Sequence, residues 1–143
     1  MANTRLFAAL VCSSLFAGQM ASAADLIIVI EGVRSTKGHV LAAVYSDEAS
    51  FLDTTKAKSL LRENAASTVR LVAHNLPAGS YAVSAIHDEN DNEKLDRNFM
   101  GIPTEGFGFS NDALGNAAAP KFDQARFDFD GKADKTIKFS FNY

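Results

Sequence analysis

Oxygen-bearing side chains recur at alternate positions in the segment that follows His87. Calcium takes roughly six to eight oxygen ligands, and calcium loops supply them from alternate residues of a short coiled segment. The spacing predicts a calcium site, with calcium as the candidate cofactor. The predicted ligands are the side chains of Asp88, Asn90, Asn92 and Asp96 and the backbone carbonyl of Lys94.

Two positions depart from the usual calcium loop. The sixth position, normally Gly so that the chain can turn sharply, is Glu93, and the twelfth, normally a bidentate Glu, is Phe99. Polar loops with this spacing also form when Asn and Asp side chains bond their own backbone in Asx-turns. From the residues alone, both interpretations stay open.

A second segment of chemical interest follows, where glycines alternate with phenylalanines. Glycine lets a backbone approach a ligand closely, but it equally lets a loop fold back onto its own sheet. In the first case Phe99, Phe107 and Phe109 would form the walls of a ligand groove, with Glu105 and Asn111 as polar contacts. In the second case, which we favour, the phenylalanines fill the open end of the domain.

Catalysis has weaker support in the sequence. Glu105 with Asp88 or Asp96 could form a glycosidase-like carboxylate pair, although nothing in the sequence sets their separation. The 3 histidines are too dispersed for a zinc motif, and Ser110 lacks the context of a nucleophile elbow. We therefore expect a non-enzymatic binding or accessory module that acts through residues 88–111. The alternative is a carbohydrate-directed enzyme or lectin that uses the same acids.

Short strands must position these segments. Apolar runs and alternating patterns predict strands at 25–33, 39–45, 68–75, 80–87, 125–129 and 136–143. We expect three hairpins. They join the strand at 25–33 to that at 39–45, the strand at 68–75 to that at 80–87, and the strand at 125–129 to that at 136–143. A short helix is expected at 46–52, a surface excursion at 53–66 and a long polar, glycine-rich loop at 88–120. The pattern predicts an all-β, antiparallel sandwich of six to eight short strands, immunoglobulin-like or transthyretin-like, with Greek-key connections.

The first 23 residues have the order of a secretory signal. Arg5 precedes an apolar run at 6–17, and small residues at 21 and 23 offer a cleavage site. The run is too short to cross a bilayer. We expect cleavage after Ala23, a single domain over 24–143, and a periplasmic or secreted location. Lipidation of Cys12 is the alternative that the signal leaves open.

The composition of the chain after the predicted cleavage limits the classes of partner that we expect. Removing Arg5 from the 14 basic residues leaves 13 against 17 acidic residues, a net charge near −4. Nucleic acid and anionic lipid are poor partners for such a chain, so we expect a protein or a glycan. Without Cys12 the chain also has no thiol for disulfide or thiolate chemistry. No integral membrane segment is expected in it.

Several ordered motifs are specific enough to compare with a known family. They are GHVLAAVY at 38–45, LPAGSYAV at 76–83, HDEN at 87–90, KLD at 94–96, GIPTE at 101–105, GFSN at 108–111, PKFD at 120–123 and ARF at 125–127. Together they resemble the bacterial domain-of-unknown-function family 2141. The resemblance implies a small exported β-sandwich of Gram-negative bacteria without an established activity. It also implies that Glu93 stands where this family typically has Gly.

Overall fold

The computed structural model describes residues 24–114 and 118–143, and the predicted signal at 1–23 lies outside these described residues. Most of the regular secondary structure in these residues is β-strand. The strands are β1 (Ala24–Glu31), β2 (His39–Tyr45), β3 (Ser59–Asn64), β4 (Thr68–Leu76), β5 (Gly79–Asp88), β6 (Gly106–Phe109), β7 (Phe127–Phe129) and β8 (Lys135–Ser140). A single helical turn, α1 (Phe122–Ala125), precedes β7. In this part of the chain, no helix has the length and apolar character needed to cross a membrane.

The strands form two sheets that pack face to face. In the first sheet the order is β4-β1-β8, and in the second it is β3-β2-β5-β6, with β7 paired to the start of β5. The predicted all-β sandwich is confirmed. One pair is not antiparallel, because β8 enters the first sheet parallel to β1. The choice between an immunoglobulin-like and a transthyretin-like layout stays a prediction.

The three predicted hairpins are wrong. β1 pairs with β4 and β8, whereas β2 pairs with β3 and β5, so the chain changes sheets between them. The same change occurs between β4 and β5 and between β7 and β8. A turn rich in Pro, Gly or Asp reverses the chain equally well within one sheet and across the core. Turn residues alone therefore do not reveal the strand pairing.

Three predicted irregular or helical segments also differ in the structure. Residues 46–52 form consecutive turns instead of a helix, and a short 3-10 helix follows at Thr54–Lys56, capped by Asp53. The excursion at 53–66 contains β3, and the loop at 88–120 contains β6. Both missed strands lie outermost in the order of the second sheet. Neither carries the long apolar run that identifies a central strand.

The main core lies between the two sheets. Alternate residues of β1, namely Leu26, Ile28 and Ile30, point into it and are fully buried. Alternation is expected for a strand with one face on the core, since successive side chains leave a strand on opposite faces. Phe139 on β8 and Tyr81 on β5 are among the large side chains that complete this core.

A second, smaller core covers part of the outer face of the second sheet. Tyr45 and Phe109 project from that face, and Phe51 and Phe122 pack over them from the connecting segments. The rings of Tyr45 and Phe51 meet edge to face, with centroids 5.4 Å apart. This cluster fixes β6 and α1, and thereby fixes the end of the 88–111 segment.

Candidate functional site

The loop that follows β5 is organised by a buried carboxylate. Asp88 is fully buried, and its two oxygens accept the backbone N–H groups of Asn92 and Glu93 at 3.1 and 2.8 Å. Asp91 and Glu93 both adopt a positive φ, of 59° and 61°. These two residues coil the chain tightly enough for Asp88 to reach across the loop.

The remaining predicted metal ligands form a network of their own. The amide groups of Asn90 and Asn92 donate to the two carboxylate oxygens of Asp96, at 2.6 and 2.8 Å. The side-chain oxygen of Asn92 accepts the backbone N–H of Lys94 at 3.0 Å. The structure thus brings the predicted residues together, and their hydrogen bonds close the loop in the manner of Asx-turns. Among the described residues, no group of three or more His, Cys, Asp or Glu side chains is placed to hold a metal.

Glu93 attaches the loop to the second sheet. Its carboxylate forms an ion pair with Arg62 on β3, with an N–O distance of 3.2 Å. Arg62 also lies 3.4 Å from Asp91, which in turn contacts His39 on β2. No local sequence pattern predicts this cluster.

Glu105 closes the base of the loop from the other side. Its side chain is only 4% exposed, and its oxygens accept the backbone N–H groups of Glu89 and Asp96 at 2.9 and 3.1 Å. Of the three carboxylates suggested for a glycosidase pair, Glu105 and Asp88 are therefore buried and bonded to backbone, whereas Asp96 is partly buried and accepts from the Asn90 and Asn92 amides. Glu105 faces the loop interior, and it also borders an open polar cleft that Arg34 and Thr104 line.

An ion pair beside this base was not foreseen from sequence. Glu89 pairs with the Arg34 guanidinium and accepts a hydrogen bond from the Ser35 hydroxyl at 2.8 Å. The Arg34 bond and charge lower the pKa of Glu89 from 4.5 to about 2. The Arg34 guanidinium also lies over the ring of Tyr143, 4.4 Å from its centre. The pair links the segment after β1 to the segment after β5.

His87 serves the same framework. It is fully buried, and its Nε2 lies 2.8 Å from the carbonyl of Lys37. Because a carbonyl only accepts, Nε2 must carry the proton, and Nδ1 can accept from the Tyr143 hydroxyl at 2.8 Å. Both ring nitrogens are occupied in structural bonds, so His87 is not placed for catalysis.

Residues 97–103 form a tight protruding turn, which we call the tip. A β-bridge joins Arg97 to Pro103, and Asn98 bonds Ile102 through its backbone at 2.9 Å. The side-chain oxygen of Asn98 also accepts the backbone N–H groups of Met100 and Ile102, at 2.9 and 3.1 Å. Gly101 has a φ of 79°, which glycine adopts without strain. The tip backbone is thus fixed by its own bonds.

The side chains of the tip are strongly exposed. Phe99 is 98% exposed, Met100 67% and Ile102 53%. Isolated exposed apolar residues are common on protein surfaces, but adjacent large ones typically mark interaction sites. The sequence signal for Phe99 was its place among the glycines, which did not reveal whether its ring was buried.

A groove of about 480 Å³ lies behind the tip. Phe107 and Phe109 line it and also pack in the second core, whereas Phe99, the third residue suggested as a wall, does neither. The other two predicted ligand residues lie elsewhere. Glu105 is buried in the loop base, and the Asn111 amide donates to the carbonyl of Arg126 at 2.8 Å. Further groove-lining residues include Leu95, Arg97, Ile102, Pro103, Leu114 and Asn142.

The comparisons with known proteins agree with the motifs. A family model described as "Uncharacterized protein conserved in bacteria (DUF2141)" matches residues 28–138. No curated protein and no solved structure matches the chain. The matched region runs from within β1 to within β8 and includes the loop, the tip and the described groove-lining residues except Asn142. The chain therefore belongs to the bacterial family DUF2141, whose members are uncharacterised.

Proposed function

We propose that this protein is an exported, non-enzymatic binding module whose tip, residues 97–103, inserts into an apolar cleft of a protein partner. The observation that carries the proposal is the 98% exposure of Phe99 on a hydrogen-bonded turn. Export rests on the signal-like order of the first 23 residues.

The order of the tip supports a binding role. A binding surface that is already fixed loses little conformational entropy when a partner arrives, so more of the contact energy appears as affinity. Exposed aromatic anchors are the residues that most often dominate protein interfaces. Phe99 and Met100 offer two such apolar anchors side by side on a turn that Asn98 holds in place.

A glycan ligand is the second candidate, and a polar cleft next to the tip favours it. Arg34, Lys37, Asn90, Asp96 and Thr104 line this open cleft. Such groups could bond sugar hydroxyls, as in a lectin. Hydrolysis has less support than binding, because the two buried carboxylates at the loop base are bonded to backbone amides. A glycan array with the purified protein tests the lectin function, and the absence of binding to any glycan on the array would contradict it.

Calcium is a separate proposal for the 88–96 loop, and it rests on the spacing of the oxygen residues. Binding would require the amides of Asn90 and Asn92 to turn their oxygens toward Asp96. Thermal melting in calcium, magnesium and chelator is the test. The site is supported if calcium alone raises the melting temperature and Asp96→Ala abolishes that increase. Equal melting temperatures in all three conditions would contradict it.

Site-specific cross-linking tests the main proposal. A photoreactive benzoylphenylalanine replaces Phe99 in the producing cell, where its exposed position leaves the fold intact. We expect a discrete protein adduct that mass spectrometry can identify. The same group at Lys132, an exposed turn residue far along the chain from the tip, serves as the matched control.

The identified partner is then purified and its affinity measured. We expect Phe99→Ser to weaken binding by at least about tenfold, the scale of one interface anchor. An adduct that also forms from position 132, or an affinity that Phe99→Ser leaves unchanged, contradicts the proposal.

A further inference from the structure

The groove behind the tip differs in chemistry from the tip itself. Its lining is almost wholly apolar, with Leu95, Ile102 and Phe107 among the residues that form it. Phe99 is not part of this lining, because its side chain projects into solvent. A concave apolar site of this volume lies in the range of small-molecule pockets, roughly 300 to 1,000 Å³.

Arg97 is the one charged residue that lines the groove among the described residues. Its guanidinium donates to the carbonyl of Gly101 at 2.9 Å, which fixes its position at the base of the tip. Within residues 24–114 and 118–143, no carboxylate lies within ion-pair distance of it. Since a guanidinium has five N–H donors, most remain available for an anionic group.

Asn142 is the second polar residue of the lining. Apolar pockets with a few converging polar groups are typical of small-ligand sites, where the polar groups fix the orientation of the ligand. Arg97 and Asn142 together suit a carboxylate, because both supply N–H donors.

A peptide fits this groove less well than a small amphiphile. Extended peptides bind by adding a strand to a free sheet edge. Here the edge of β6 at Phe107 is already used, since its N–H and carbonyl both bond Asn142, at 3.0 and 2.8 Å. The groove therefore offers apolar side chains and a cation at this position, without a free strand edge.

We infer that the groove binds a long-chain carboxylate, such as a fatty acid, with its chain against Leu95, Ile102 and Phe107 and its carboxylate on Arg97. This site is separate from the protein-binding face of the tip. The two share the tip backbone and Met100, but Phe99 belongs only to the tip face and Arg97 is the charged residue of the groove, so variants at Phe99 and Arg97 test each site without the other.

The test uses the purified protein and a fluorescent polyene fatty acid that palmitate displaces. We expect saturable binding of the probe and competition by palmitate. Hexadecanol, which has the chain without the carboxylate, should compete at least about tenfold more weakly, the scale of a lost charged contact. A short apolar peptide with a free C-terminus is the third competitor, and effective competition by it alone would overturn the fatty-acid assignment.

Variants test which residues contact the carboxylate of the ligand and which contact its apolar chain. Arg97→Gln should weaken the binding of palmitate by at least about tenfold and leave the binding of hexadecanol nearly unchanged. Arg70→Gln, on β4, is the control and should change neither affinity. Ile102→Asp should abolish the binding of both. Phe99→Ser should preserve palmitate binding, even if it abolishes capture of a protein partner. No saturable binding, or equal palmitate affinity in Arg97→Gln and the original protein, overturns the inference.

Discussion

The buried carboxylate of Glu105 accepts the backbone N–H of Asp96 at 3.1 Å and so ties the loop after β5 to the strand that follows the tip. Its other oxygen accepts the N–H of Glu89. One side chain therefore joins the two ends of the segment that presents the tip. These two bonds explain how a long polar segment can hold apolar side chains in fixed positions.

Replacing Glu105 should destabilise the protein strongly. Glu105→Ala removes two charge-assisted bonds and leaves two backbone N–H groups without their partner, which together should cost about 3 kcal/mol. Urea unfolding measures the loss. Glu63→Ala, at an exposed position of β3, is the matched control and should change the free energy of unfolding by less than about 0.5 kcal/mol. Equal effects of the two substitutions would show that Glu105 does not hold the loop.

Stability should fall in acid through Glu89. The pKa of Glu89 is lowered in the folded protein to about 2, from 4.5. The stabilisation is therefore fully present above about pH 5 and is lost as the pH falls toward 2, with an upper limit of about 3 kcal/mol. Urea unfolding from pH 7 to pH 2 should show the original protein converging on Glu89→Gln. A difference between them that stays constant with pH would contradict the ion-pair explanation.

Replacing Glu93 with glycine should stabilise the loop slightly. Glu93 has a φ of 61°, which costs a non-glycine residue about 1 kcal/mol. Glu93→Gly relieves this strain and loses only an exposed pair with Arg62, so we expect a net gain of about 0.5 kcal/mol. Glu93→Gln keeps the strain and loses the charge, and should be neutral or slightly destabilising. Thermal melting of the three proteins side by side gives the order, and a less stable glycine variant would contradict it.

The side chain of Asn98 should control the order of the tip more than global stability. Asn98→Ala removes the acceptor for the N–H groups of Met100 and Ile102, at an exposed site where we expect a cost of about 1 kcal/mol. Amide hydrogen exchange should therefore accelerate at these two residues. Asn64→Ala, at the exposed end of β3, is the control. Unchanged protection in the Asn98 variant would mean that the tip is held in another way.

The central strands could be predicted because their residues carry the pattern. The alternating burial of Leu26, Ile28 and Ile30 and the apolar run of β2 follow directly from strand geometry. The pairing could not be predicted, since Pro77 and Gly79 would form the same turn within a sheet or across the core. Five predicted strands agree with the structure to within two residues at each end, yet their neighbours were misassigned.

β6 shows why part of the site was missed. Its residues alternate Gly with Phe, and glycine, which makes up half of them, is depleted in strands. The glycines are required here because a Cβ at Gly106 would lie 2.5 Å from the Tyr143 ring, and one at Gly108 would lie 2.8 Å from the Ser140 carbonyl. Contacts between residues this distant in sequence leave no local pattern, and the same holds for the Arg34 pair with Glu89.

The oxygen residues of the loop lie close together in the structure, but their spacing alone left their interactions open. Asp88 and Asn92 suit a cation shell by spacing and suit Asx-type bonding equally well. Spacing fixes which side chains share the interior of a coil, while their rotamers depend on neighbours such as Glu105.

The measurement that tests the account most directly is a paired determination of melting temperature and partner affinity for Phe99→Ser. We predict a melting temperature within about 2 °C of the original, because a 98% exposed ring contributes little to folding. We also predict a loss of affinity of at least about tenfold for the partner cross-linked at this position. A large drop in melting temperature, or unchanged affinity, would contradict the claim that Phe99 is displayed for binding.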